Sequence, residues 1–245
     1  MATRGDYLAA LGLTDWRQRR QLAAALVATP PTPLEVTEPE PPDPRPTRQP
    51  IHMAIEPGTD SWDAVAAEVA ACMRCELHQC RTRTVFGVGD REASWLVVGE
   101  APGADEDRQG EPFVGRAGQL LNAMLLGIGL QREQVFIANV LKCRPPNNRD
   151  PLPAEVAQCL PYLERQIALL RPRIMLAVGR IAAQNLLATD TPIGKLRGRV
   201  HAFGAQRIPL VVTYHPAYLL RSPTEKRKAW EDLKFARRVA ADGTA

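Results

Sequence analysis

Five cysteines and three short polar segments hold the residue types best suited to chemistry in this chain of 245 residues. Cys72 and Cys75 form a C-x2-C pair, while Cys143 and Cys159 lie far downstream. Buried cysteines often behave as small hydrophobes, yet Cys72 and Cys75 sit beside Arg74, Glu76 and His78. A C-x2-C pair brings two thiolates close enough to share one metal centre. A thioredoxin-like redox pair would follow a strand in a βαβ unit, whereas this pair ends a helical stretch ahead of the first strand-like run. The cysteines therefore predict a thiolate metal site. Zinc and a [4Fe–4S] cluster both accept four thiolates, and spacing alone does not separate them. The second pair is not the tight knuckle usual in zinc ribbons. Cys80 is left over, either as a free thiol or as the alternative to Cys75.

The three polar segments are Gly99–Gly103, Asn139–Arg144 and His215–Arg221. Each follows an apolar run: Trp95–Gly99, Val135–Leu141 and Pro209–Thr213, with a further run at Ile174–Gly179. Between them lie helical patterns over Gly115–Leu126, Ala154–Leu170 (after Pro153) and Arg180–Leu187, and a last one near Thr224–Val239 with Thr224 as N-cap. Short apolar strands separated by helices predict an α/β fold: a three-layer αβα sandwich around a central, mainly parallel four-stranded sheet. In such sheets ligands sit beyond the C-terminal strand ends, which is where the three segments fall. The loop after Gly99 is long and patterned, with Phe113 between Pro112 and Val114, as suits a pocket of backbone amides with an aromatic ring for a planar ligand.

Bulk properties agree with a polyanionic partner. Net charge is +4, spread as +2 over residues 1–28, −4 over 29–60 and +6 over 61–245; a basic main domain suits a polyanion. Residues 30–50 contain nine prolines, a composition that cannot offset its ordering entropy by burial. The expected organisation is an N-terminal segment 1–28, a Pro-rich disordered linker 29–60 and a main domain 61–245. No run reaches the roughly eighteen apolar residues that suggest a membrane span, and the N-terminus lacks a secretory pattern, so a cytoplasmic protein with no membrane partner is expected.

The motifs resemble those of the family 4 uracil-DNA glycosylases. Gly99–Gly103, Glu106-Asp107 and Gly110-x-Pro112-Phe113-Val114-Gly115-x-Ala117-Gly118-x-Leu120-Leu121 are similar to the first family motif. Asn139–Arg149 is similar to the central motif and His215–Arg221 to the last. The resemblance implies four cluster ligands, Cys72, Cys75, Cys143 and Cys159, holding a [4Fe–4S] cofactor. It implies that uracil flipped from single- or double-stranded DNA stacks on Phe113, is read at its edge by the Asn139 amide, and leaves as an anion stabilised by His215. Glu100 and Ala101 stand where family 1 enzymes carry Gln and a catalytic Asp. Glu100 joins His215 and Asn139 in the catalytic set, Ala101 lines the base site, and Glu106 crowds the thymine methyl group. Tyr218, Leu219, Leu220, Arg221 and Arg144 face DNA; Lys142, Arg149, Lys195, Arg197 and Arg199 are further phosphate contacts. One relative crosslinks to DNA through a histidine in an inserted basic loop; Gly194–His201 lacks the full insertion. The alternatives are a DNA-binding or crosslinking protein of this fold with little turnover, or a zinc-stabilised repair or replication adaptor.

Ahead of the linker, Tyr7, Leu8, Leu11, Leu13 and Trp16 give an amphipathic pattern. It resembles the peptide by which the psi subunit of the DNA polymerase III clamp loader binds the chi subunit, so residues 4–20 are expected to dock chi. The enzyme is expected to be a monomer.

Overall fold

The structure, a computed structural model, describes residues 61–242. Segment 1–28, with its expected chi-docking peptide 4–20, and linker 29–60 lie outside the described residues. Four strands carry apolar side chains on both faces: β2 (Trp95–Gly99), β3 (Phe136–Asn139), β4 (Ile174–Val178) and β6 (Ile208–Thr213). A strand can bury both faces only if the sheet is covered on both sides. Successive side chains do divide between two cores. Leu96, Val98, Phe136, Ala138, Met175, Ala177, Leu210 and Val212 pack beneath α1 (Trp62–Ala71), α4 (Pro153–Leu170) and α5 (Arg180–Leu186). Trp95, Val97, Ile137, Ile174, Leu176, Val178 and Val211 pack beneath α3 (Arg116–Gly127) and α8 (Lys226–Asp242).

The sheet corrects one expectation. It has six strands in the order β1-β3-β2-β4-β6-β5. The four expected strands are its parallel centre, and β1 (Val88–Gly89) and β5 (Val200–Phe203) are added antiparallel at the two edges. Both edges escape a reading by apolar runs, since β1 is two residues long and β5 exposes Val200 and Ala202. A second correction concerns Thr224, which lies within a 3-10 turn, Pro223–Glu225, ahead of the helix start at Lys226. The remaining helices are short: α2 (Ala104–Gln109), α6 (Ile193–Leu196) and α7 (Pro216–Arg221). No helix among the described residues is long and apolar enough to cross a membrane.

From β2 the chain crosses to β3 on one side and then returns past β2 to β4 on the other. This reversal opens a crevice at the C-terminal ends of β2 and β4. Two ion pairs fix helices of the two outer layers. Arg165 on α4 grips Glu68 on α1 through both oxygens, at 2.6 and 2.8 Å. On α8 the buried stripe Ala229, Leu233, Ala236 and Val239 also contains Asp232, whose charge needs a partner. Arg197 supplies it, with Nε and Nη2 donating to Oδ2 and Oδ1 at 2.6 and 2.9 Å and the guanidinium 4.3 Å over the Tyr214 ring. Arg197 is thus spent on the fold, which removes it from the expected phosphate contacts. Arg197→Ala would leave a buried carboxylate unpaired and should destabilise the domain by about 3–5 kcal/mol in urea unfolding. A loss no larger than that of an exposed pair, about 1 kcal/mol or less, would show that water replaces the arginine.

Candidate functional site

Four parallel strands end on one edge, and the residues that follow them line a cleft of about 740 Å³. β2 supplies Glu100, Ala101 and Gly103; β3 supplies Asn139; β4 supplies Gly179 and Arg180; β6 supplies Tyr214 and His215. Phe113 and Glu106 enter from the loop and short helix after β2, and Tyr218 and Arg221 from α7. Every expected catalytic and substrate-binding residue therefore meets in one place: His215, Asn139, Glu100, Phe113, Ala101 and Glu106. The positions missed include Asn148, Asp150, Gly179, Arg180, Ile181, Ile193 and Tyr214. The strand-end rule that located the other segments also applies to β4 and would have found Gly179 and Arg180.

Close approach is what lets these side chains meet. Gly99 ends β2 beside Asn139, and a Cβ there would lie 2.7 Å from Phe113 Cζ and closer still to Asn139 Oδ1. Gly179 has φ +100°, and a Cβ on it would press on the His215 side chain at 3.0 Å. Phe113 is held at φ +54°, a costly backbone conformation for an aromatic residue. Two side chains, Arg132 and Glu106, account for its persistence. Arg132 donates Nη2 to the Pro112 carbonyl at 2.6 Å and Nη1 to the Phe113 carbonyl at 3.3 Å. Glu106 Oε1 accepts from the Val114 and Gly115 amides at 3.0 and 3.2 Å. Its other oxygen accepts from Gly103 N–H at 3.1 Å, as in a capping box. The Phe113 and His215 rings lie 5.6 Å apart and 29° from parallel.

Two titratable groups in the cleft are pushed in opposite directions. Burial raises Glu100 to about 7, helped by Asp150 and opposed by Arg180; Asp150 and Arg180 pair at 2.7 Å. Burial lowers His215 to about 4, and the charge of Arg221 adds to the shift while Glu106 opposes it. Each shift favours the neutral form. His215 Nδ1 accepts from the Ala217 amide at 3.1 Å, capping α7. An acceptor Nδ1 puts the ring proton on Nε2, so the neutral imidazole retains a donor.

The outer residues divide. Tyr218 and Leu220 are exposed and Arg221 lies at the cleft rim. Leu219, expected to face DNA, is instead 1% exposed and packs in the α3–α8 core. Adjacent residues on a helix point about 100° apart, so α7 turns one leucine in and its neighbour out. Arg144 lies outside the cleft lining and donates Nε to Asn148 Oδ1 at 2.8 Å. Arg149, expected on phosphate, lines the cleft while pairing with Glu155 at 2.5 Å, whereas Lys142, expected there too, is buried. His201 Nε2 lies 2.7 Å from the Leu196 carbonyl, outside the cleft lining.

On the α4 side, Cys72, Cys75, Cys143 and Cys159 line one small cavity with Leu77, Arg81 and Tyr162. Cys80 is exposed, is not in that lining, and its thiol points to the Leu77 and Arg144 carbonyls at 3.5 and 3.9 Å. Two N–H groups already aim at the cavity sulfurs: Arg81 Nη1 at Cys143 Sγ and Lys142 N at Cys159 Sγ, both at 3.1 Å. Burial raises the thiols of Cys75 and Cys143, and takes Cys159 up to about 12. Protein alone thus holds them protonated, and a soft cation would displace those protons. No three His, Cys, Asp or Glu side chains among the described residues converge closely enough to hold one metal ion.

The cleft and cavity can be set beside known proteins. A family model described as the uracil DNA glycosylase superfamily matches residues 86–234. A type-4 uracil-DNA glycosylase of Archaeoglobus fulgidus is 46% identical over 181 residues, covering 71% of this chain and 91% of that protein. The type-4 uracil-DNA glycosylase of Sulfurisphaera tokodaii is 43% identical over 188 residues, 74% of this chain and 86% of the relative. That of Thermotoga maritima is 40% identical over 179 residues, 71% of this chain and 92% of the relative. With the matched region spanning every strand of the sheet and the whole cleft, the chain belongs to the uracil DNA glycosylase superfamily, in its type-4 family.

Proposed function

We infer that this enzyme is a uracil-DNA glycosylase that hydrolyses the bond between uracil and deoxyribose in DNA, the first step of base excision repair. The observation that carries the site assignment is the meeting of Phe113, Asn139 and His215 at one strand-end cleft. A flipped base needs a flat apolar wall, a donor–acceptor pair at its edge and a donor where charge develops. Phe113 is the wall, the Asn139 amide is the pair for O4 and N3–H, and His215 Nε2–H is the donor to O2. Because His215 is neutral, it stabilises the uracil anion as a hydrogen-bond donor and keeps its proton. Glu100 is the carboxylate that orients the attacking water. Glu106 shapes the floor on which the C5 edge of the base rests, and so disfavours thymine. Tyr218, Leu220 and Arg221 face the DNA.

The cysteine cavity fits a [4Fe–4S] cluster held by Cys72, Cys75, Cys143 and Cys159. Four soft donors on one cavity, with N–H groups aimed at two sulfurs, are what such a cluster requires. A cubane also spreads its thiolates further apart than one zinc ion does, which suits sulfurs that ring a cavity without converging. The positive charges of Arg81 and Lys142 offset those of the thiolates. When bound, the cluster supplies cross-linking of α4 to the loops around it, while the reaction belongs to the cleft.

Purified wild-type protein should carry the iron of one such cluster and release uracil from DNA over many turnovers. Asn139→Ala should keep the iron and lose roughly 10²–10³-fold in uracil release, the scale for one transition-state hydrogen-bonding group. Stoichiometric zinc in place of iron, or a denaturant-stable DNA adduct in place of turnover, would defeat the corresponding part of this reading. Cys80→Ser should change neither iron nor rate.

Activity should depend on pH through Glu100. Its carboxylate is needed ionised and its pKa is raised to about 7, so kcat/KM should climb as pH rises through 7 and level off above. His215 is neutral across that range and adds no limb. Glu100→Gln should flatten the profile and lower the plateau by about 10²-fold; a rising limb that survives the substitution would assign it elsewhere.

Residues 4–20 are proposed to dock the chi subunit of the DNA polymerase III clamp loader. Deleting 1–28 should abolish capture of purified chi, and undiminished capture would refute the assignment.

A further inference from the structure

A buried amine lies between the cleft and the cysteine cavity. Lys142 is 1% exposed; its Nζ donates to the Asn139 carbonyl at 2.9 Å and to Gln166 Oε1 at 2.6 Å. Gln166 is fully buried on α4 and donates its own Nε2 to the Phe86 carbonyl at 2.9 Å, which fixes the way its amide faces. Asn139 is the last residue of β3; the Val140 N–H of the same peptide unit donates to the Gly99 carbonyl at 3.0 Å, and Lys142 Nζ holds its carbonyl end from the opposite edge. Burying an ammonium is unfavourable unless hydrogen bonds compensate it, and an apolar side chain of the same length would fill the space more cheaply. What the amine adds is direction.

We propose that Lys142, held by Gln166, is a positioning residue that fixes the Asn139 backbone and so the aim of the Asn139 amide into the cleft. This rests on the reading of Asn139 as the group that holds the base. The lysine touches no substrate; it acts through the carbonyl of its neighbour three residues back. Its own N–H meets Cys159 Sγ, so α4 holds the segment that follows the amide twice, through Gln166 at the side chain and through Cys159 at the backbone.

The test compares Lys142→Met, Gln166→Leu and Asn139→Ala in the full, iron-loaded chain, reading iron content, kcat, KM for uracil-containing DNA, and inhibition by free uracil. Gln166→Leu removes an acceptor from the amine while leaving Cys159 and the backbone N–H in place, so it decides the matter even where Lys142→Met loses its iron. A misplacement of about 1 Å costs on the order of 10²-fold in rate. The expected result is therefore a kcat at least about tenfold lower in Gln166→Leu and lower still in Lys142→Met, with iron and KM unchanged and free-uracil inhibition weakened in step. A merely structural role would shrink the active fraction and leave the half-inhibiting uracil concentration at its wild-type value; that outcome overturns the proposal, as does wild-type kcat in Gln166→Leu. Wild-type turnover in Asn139→Ala would instead overturn the reading of Asn139 itself, whatever the other two variants do.

Discussion

The space that a missing Cβ leaves at Gly99 governs how the cleft is built. Parallel strands hold their ends at a fixed spacing, so side chains from neighbouring strands and loops meet only where one strand end contributes no bulk. Gly99 supplies that gap between Asn139 and Phe113, and Gly179 does the same for His215. The chain can then bring a base-reading amide, a stacking ring and an imidazole together without bending the sheet. The cost is met in the loops, above all at Phe113, whose left-handed backbone is pinned by Arg132 on two carbonyls and by Glu106 on the following amides. A rigid sheet edge and a clamped loop are two halves of one device, since each would be too loose without the other.

Charge is managed by the same economy of contacts. The basic residues do not form a uniform DNA-binding surface. Arg197 neutralises Asp232 beneath α8, Arg165 joins α4 to α1, Arg132 clamps the Phe113 loop, and Lys142 and Arg81 face the cysteine cavity. Buried cations need partners with good geometry, and each of these has one. Those left for phosphate are fewer than composition suggests, with Arg221 beside the cleft. The paired arginines already cancel in the net +6 of the main domain, so the part of that charge internal to the fold comes from Lys142, Arg81 and Arg132, whose hydrogen-bond partners carry no carboxylate.

That division explains which features could be read from the residues alone. Strands β2, β3, β4 and β6 were legible because strands buried on both faces are continuous apolar runs, and the strand-end rule then located Gly99, Asn139 and His215. The edge strands were not, because β1 is too short to show a period and β5 has one wet face. Leu219 and Leu220 are chemically alike and differ only in which side of α7 they occupy, which depends on packing against α3. Lys142 and Arg197 look like any surface cations until Gln166 and Asp232, which are 24 and 35 residues further along the chain, come to meet them. Sequence pattern reports period and composition; it does not report partners that only tertiary packing brings near.

The opposed shifts of Glu100 and His215 follow from one cause. Both sit where protein replaces most of the water around them, and desolvation penalises whichever form is charged. For a carboxyl that means holding its proton up to about pH 7, and for an imidazole refusing one down to about pH 4. His215 is neutral through the working range while Glu100 ionises only as pH rises through about 7, and the lining also carries Asp150, Arg180, Glu106 and Arg221. With the imidazole neutral, charge develops on the base itself, so the His215 Nε2–H donor gains most when the bond breaks. A protonated histidine would also attract the anion, but it would be costly to bury before the base arrived. The neutral donor needs no such preparation, because the Ala217 amide on Nδ1 already holds its proton on the side facing away from that contact.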